Sequence, residues 1–180
     1  MLEVRFHGRG GQGAVTCTEL VAKAAIAEGK YAQAFPSFGA ERRGAPVMAF
    51  LRVSDEPIRI RQKIYEPDVV VVLDPTLLGL ASVVEGLKEN GLIIANSPKT
   101  PQELQKEYGF KQKVATVDAT KIALDTLRLP ITNTTMLGAL VKATQVVSME
   151  ALIEALKERF GRLAERNRLA MERAFQETKI

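Results

Sequence analysis

Gly8-Arg9-Gly10-Gly11-Gln12-Gly13 puts four glycines into six residues, directly after the strand-like run Leu2–His7 and directly before an alanine-rich stretch. Glycine reaches φ > 0 and has no Cβ, so a loop of this kind can turn several N–H groups toward one ligand. A helix beginning at once behind it adds the positive end of its dipole. The chemistry such residues suit is the holding of an anion, a phosphate or pyrophosphate first of all. A tightly packed strand-to-helix turn without a ligand is the alternative reading of the same residues.

The spacing Gly8-x-Gly10-x-x-Gly13 is that of a dinucleotide fingerprint, which also calls for an acid at the end of the second strand to bind the ribose hydroxyl. Here the second strand-like run, Lys30–Phe35, ends apolar and runs into Pro36, while Glu28 precedes it. A mononucleotide loop fits no better, because Ala14, Val15 and Thr16 stand where Lys followed by Ser or Thr is needed. The nucleotide is therefore not identified by the loop.

The elements that position the loop follow from periodicity. Ala14 to Glu28 has helical spacing, with Gly29 as its stop. Strand character recurs at Pro46 to Val53, Asp68 to Leu73, Leu92 to Ala95 and Lys113 to Val117, and the uninterrupted valines after Asp68 suit a strand buried on both faces. Helices are expected at about Leu77 to Lys88, Pro101 to Tyr108 and Ala119 to Leu127, then at Asn133 to Thr144, Met149 to Arg159 and Leu163 to Glu177. This alternation predicts an α/β fold in three layers, a doubly wound and mostly parallel sheet in one domain over residues 1–180, with the helical segment from about 133 to 180 packed on it. Leu152, Leu156, Phe160 and Leu163 form an apolar stripe expected to face the sheet. The alternating Arg and Glu residues of the last helix are read as a solvated face.

A second unusual segment, Ala34 to Pro46, contains two phenylalanines, two prolines and the adjacent Arg42 and Arg43. It leaves the sheet at the same edge as the glycine loop, so both arginines are candidates to reach the same anion, with a subunit contact as the other role. Arg59 and Arg61 stand at strand spacing and are read as a solvated face. Asp74 and Asn96 fall at the ligand edge too, yet turns and caps also use these residues there. Asn133 and Thr134 are read as caps. His7 and Cys17 are read as buried residues and not as catalytic groups.

One histidine, one cysteine and no acidic cluster leave no metal site and no disulfide within the chain. A net charge of +4, spread along 180 residues, disfavours nucleic acid as a partner. No run approaches the ~18 apolar residues of a membrane span. The chain reads as cytoplasmic. With an anion loop and no complete reaction centre, it reads as part of a larger assembly.

Gly8-Arg-Gly-Gly-Gln-Gly-Ala-Val15, Gly29 to Pro46 with its Ala-Glu-Arg-Arg-Gly-Ala-Pro core, Pro57-Ile-Arg59, Pro67-Asp68 with the valine strand closing in Asp74, and Asn133-Thr-Thr-Met-Leu-Gly-Ala139 span most of the sequence. Together they resemble the gamma subunit of 2-oxoacid:ferredoxin oxidoreductases, and the Arg-Arg wording is most similar to the pyruvate and branched-chain enzymes. The resemblance implies a complex that oxidatively decarboxylates pyruvate to acetyl-coenzyme A on thiamine diphosphate and passes electrons through iron–sulfur clusters to ferredoxin. It also implies that those cofactors sit on alpha, beta and delta partners, that this chain is inactive alone, and that coenzyme A phosphates are the ligand for Gly8 to Gly13. A branched-chain 2-oxoacid enzyme, a self-contained nucleotide-binding oxidoreductase and a ligand-free scaffold subunit stay open as alternatives.

Overall fold

A computed structural model describes residues 1–37 and 43–180. Six strands form one sheet: β1 (Leu2–Arg9), β2 (Tyr31–Pro36), β3 (Pro46–Ser54), β4 (Val69–Val72), β5 (Leu92–Asn96) and β6 (Lys113–Val117), in the order β2-β3-β1-β4-β5-β6. β1, β4, β5 and β6 run parallel, and β3 lies antiparallel between β1 and β2. The helices are α1 (Ala14–Ala27), α2 (Ala81–Val84), α3 (Pro101–Tyr108), α4 (Ala119–Leu127), α5 (Asn133–Thr144), α6 (Met149–Phe160) and α7 (Ala164–Glu177).

Two apolar cores sandwich the sheet. One joins Val4, Phe6, Val71 and Ile94 to α1, α4, α5, α6 and α7. The other joins Val70, Val72, Ile93 and Val114 to α2 and α3. The α/β expectation holds, and because both neighbours of β3 run against it, β1 and β2 point the same way and end at the same edge of the sheet.

Local chemistry sets the boundaries. α1 stops where Gly29 takes φ +80, with Gly29 donating to the Ile26 carbonyl at 2.9 Å and Lys30 to that of Ala25 at 3.0 Å, the pairing of a Schellman end. α3 opens with a reciprocal cap between Thr100 and Glu103. Gly138 lets α5 lie against α7, since a Cβ there would strike the Met171 carbonyl.

Three expectations need correction. The helix read over Leu77 to Lys88 is a single turn at Pro75–Leu77 followed by the four residues of α2. Gly86 ends it at φ +71, where a Cβ would meet the Tyr65 carbonyl, and Arg5 takes the carbonyls of Val83 and Glu85 at 3.0 and 2.6 Å. Leu152 and Leu156 are buried, but α6 packs on α1 and α7, a layer away from the sheet, and Leu163 is 61% exposed. Asn133 is the first residue of α5 and not its cap; Thr132 holds the cap position without a side-chain bond.

Arg59 and Arg61 lie exposed in an irregular segment and not in a strand. As expected for a solvated face, Arg168 in α7 pairs with Glu165 and Glu172, and Arg173 with Asp125 and Glu177.

Candidate anion-binding site

The glycine loop lies between the end of β1 and α1, and its polar groups divide into two sets. In the first set the loop is tied to the protein. The Arg9 amide donates to Gln12 Oε1 at 2.7 Å, the Gly10 amide to the Ala45 carbonyl at 2.8 Å and the Gln12 amide to the Arg9 carbonyl at 2.9 Å. The expected run of consecutive amides facing one phosphate is thus interrupted, because a loop leaving a sheet edge satisfies its backbone locally wherever acceptors are near.

The side chains of this set converge on Asp74, at the end of β4. Gln12 Nε2 donates to Asp74 Oδ2 at 2.7 Å, and Arg9 Nε stands 3.3 Å from the same oxygen. Thr76 gives its amide and hydroxyl to Asp74 Oδ1 at 2.9 and 2.6 Å, while its own oxygen accepts from Arg9 Nη2 at 2.8 Å. Burial pushes the Asp74 carboxyl up, but the bonds from Thr76 and Gln12 and the Arg9 charge outweigh it and hold the group below its usual range. Asp74 also caps the following turn, so the turn reading of this residue stands. Its pairing with Gln12 spans 62 positions, and no local signal in the sequence announces it.

The second set is open. Among the described residues, the amides of Gly11 and Gly13 find no acceptor. Gly11 at φ +95 and Gly13 at φ +80 occupy the left-handed region that favours glycine. Gly13 sits at the cap position of α1, which has no side-chain cap and no acidic residue in its first turn. Within the helix itself, therefore, no acidic side chain offsets the first-turn amides and the positive end of the dipole. Over Gly13 lies Asn133, 8% exposed, whose Nδ2 occupies the place a Cβ would take and has no acceptor among the described residues. Its Oδ1 accepts from the Thr134 amide at 2.8 Å, which points the NH2 end toward the loop. Asn133 was missed as a site residue because its role depends on α5 meeting α1.

Gly8 belongs to β1 and packs against Leu73, whose Cδ1 would lie 3.2 Å from a Cβ. Gly44 donates to the Gly10 carbonyl at 3.1 Å and accepts from Arg9 Nη1 at 3.1 Å, so the segment around exposed Arg43 is laced to the glycine loop. Arg42 lies outside the described residues.

His7 and Cys17 are inert. Burial first, and the adjacent Arg5 charge second, push His7 down to about 3, and its Nε2 accepts from Arg5 Nε at 2.9 Å. Burial pushes the Cys17 thiol far up, and its sulfur lies 3.3 Å from the Asn133 carbonyl. Asn96 ties Leu73 to α4 through its amide, at 2.9 Å to both the Leu73 carbonyl and Thr120 Oγ1. Among the described residues no group of three or more His, Cys, Asp or Glu is placed to hold a metal, and no helix is long and apolar enough to cross a membrane.

Residues 3–177 match the family model for pyruvate ferredoxin/flavodoxin oxidoreductase. The chain belongs to that family. It is 57% identical, over all of this chain and 98% of the relative, to the protein named as the gamma subunit common to the pyruvate and ketoisovalerate oxidoreductases of Thermococcus litoralis. It is 52% identical, over 98% of this chain and 96% of the relative, to the pyruvate synthase subunit PorC of Methanothermobacter thermautotrophicus. The crystal structure of the Thermotoga maritima pyruvate oxidoreductase subunit superposes with a TM-score of 0.88 at 42% identity, covering 99% of this chain and 97% of that one. As a member of the family the chain is a subunit of an oxidoreductase, and these relatives are matched along almost their whole length.

Proposed function

We propose that this chain is the gamma subunit of a pyruvate synthase complex and that its glycine loop holds the phosphates of coenzyme A. The open set of groups carries the reading: the Gly11 and Gly13 amides, the uncapped start of α1 and Asn133 Nδ2 are all donors, and the carboxylate bonded to the loop, Asp74, is already engaged by Arg9, Gln12 and Thr76. A pyrophosphate brings the negative charge and acceptor oxygens that such a set lacks. Coenzyme A supplies the thiol that accepts the acyl group. This chain's part is to fix the cofactor's anionic end, with Arg43, and Arg42 beside it, as candidate cations from the neighbouring segment.

Thiamine diphosphate and iron–sulfur clusters are assigned to the alpha, beta and delta partners, and ferredoxin is the electron acceptor of the complex. Among the described residues, His7 and Cys17 are buried and inert, and no group of three or more His, Cys, Asp or Glu is placed to hold a metal. The name of the Thermococcus relative, common to two oxidoreductases, supports a second and compatible reading: this subunit serves both pyruvate and branched-chain 2-oxoacid enzymes because it does not select the oxoacid.

Calorimetric titration of the reconstituted complex with coenzyme A tests the assignment. Gly11→Val and Gly13→Val are expected to weaken binding at least about tenfold, or ~1.4 kcal/mol, without changing the order of preference among 2-oxoacids. Unchanged affinity in both variants overturns it.

A further inference from the structure

The two edges of the sheet are finished differently. At β6 the chain covers part of its own edge: Thr116 and Lys179 exchange both backbone hydrogen bonds, each 2.9 Å, in a single antiparallel bridge. At β2 no described residue does this. Tyr31-Ala-Gln-Ala-Phe-Pro36 contains no charged residue, no bulge and only a terminal proline. Natural sheets blunt an exposed edge with charge, bulges or a covering element, since an unpaired row of N–H and C=O groups recruits another strand.

The register shows which groups are open. Ser37 donates to the Met48 carbonyl at 2.9 Å, so in this antiparallel ladder residues 31, 33 and 35 turn their backbones toward β3. The amides of Ala32 and Ala34 and the carbonyls of Ala32, Ala34 and Pro36 therefore face away from the sheet. Beside them, along the flank of α1, runs a cavity of about 260 Å3 lined by Leu20, Lys23, Ile26, Ala34 and Arg159, with Ile26 59% exposed.

We propose that β2 is the seam of a two-fold dimer, in which β2 of a second copy of this chain pairs antiparallel to it and joins two six-stranded sheets into one. The strand is complementary to itself. With Gln33 opposite Gln33 on the axis, the open amides of Ala32 and Ala34 in each copy all find carbonyls in the other. Tyr31 of one copy then stands across from Phe35 of its partner, a cross-strand aromatic pair. On the other face the facing residues are Ala32 and Ala34, small enough to let helices meet above them.

The helix spacing agrees. α1 packs over both β2 and β3. With strands about 4.8 Å apart, its axis lies roughly 5 Å from the dyad, which sets the two α1 helices roughly 10 Å apart, within the range of packed helices. Ile26, 59% exposed, then lies beside the seam on each flank, while Lys23 stays paired with Glu158 of its own copy at 2.6 Å.

Light scattering on the full chain after size exclusion, from about 10 to 500 μM, reads the result. The expected mass is twice 19.7 kDa, with slow hydrogen exchange at the Ala32 and Ala34 amides. Ala34→Pro deletes one open amide and leaves the β3 ladder intact, and Ile26→Glu puts a carboxylate into the apolar flank of the seam in each copy. Each is expected to raise the dimer dissociation constant at least about tenfold with the melting temperature of the monomer unchanged. If Ala34→Pro does not fold, Ile26→Glu and the exchange measurement on the unaltered chain still decide. A monomer at every concentration, or a dimer untouched by a folded variant, overturns the proposal.

Discussion

Arg9, Gly10 and Gln12 commit their polar groups to Asp74, Ala45 and one another, whereas Gly11, Gly13 and the first turn of α1, a few ångströms along the same loop, commit theirs to nothing among the described residues. Composition does not separate these two regions, since both are glycine-rich. What separates them is backbone direction. Arg9 closes β1 and Gly10 bonds the residue before β3, whereas Gly11 and Gly13, on either side of Gln12, take left-handed conformations at the turn into α1. One stretch of sequence thus contains a structural clamp and an open set of donors, and the clamp fixes the position of that set against β4.

Variants break the comparison in order of effect. Gly13→Val meets both the left-handed φ and the Asn133 side chain, so a loss of about 3 kcal/mol is expected from backbone strain plus overpacking. Calorimetric melting should show it as a fall of ~10 °C, along with the loss of coenzyme A binding. Asp74→Asn unbalances the clamp: with one carboxylate facing Arg9, Gln12 and Thr76 replaced, ~2 kcal/mol is expected to disappear. Coenzyme A affinity should change less than about threefold, since the Asp74 carboxylate is already engaged by Gln12, Thr76 and Arg9. A double-mutant cycle with Gln12→Ala should show coupling of roughly 1 kcal/mol; additivity would mean that the clamp does not act as a unit.

How far the sequence reveals this division depends on the range of the contacts. β6, α3, α4 and α5 appear within their observed bounds because proline, capping residues and periodicity act over a few positions. The segment after Leu77 misleads, because its apolar spacing is helical while Gly86 and the reach of Arg5 from β1 cut the helix short. In the same way the glycine loop stands out as a candidate anion loop, but which amides remain open is decided by Ala45, Asp74 and Asn133, and these partners reach it only through the folded sheet. Leu163 fits an apolar stripe in sequence and is exposed because Gly161 turns the chain before it.

Acid offers a milder test of the committed side, which continues down β1 through His7. The folded chain keeps His7 neutral to about pH 3, whereas an unfolded histidine protonates near 6.5. Between those values the unfolded state binds more protons, so stability present above pH 6.5 is lost as pH falls, by at most about 1.4 kcal/mol per pH unit. Melting temperatures from pH 7 to 5 should therefore decline, and His7→Gln, which keeps an acceptor for Arg5, should flatten the slope. Smallest of all is Gly11→Ala. No atom lies within 4 Å of its Cβ position, so only the φ +95 conformation opposes it, at a cost of ~1 kcal/mol.

The most direct measurement uses 15N-glycine labelling of this chain within the reconstituted complex, followed by titration with coenzyme A. The Gly11 and Gly13 amide resonances should shift together and saturably, while that of Gly10, bonded to the Ala45 carbonyl, stays in place. Shifts at Gly10 alone, or none at any of the three under saturating coenzyme A, would contradict the cradle.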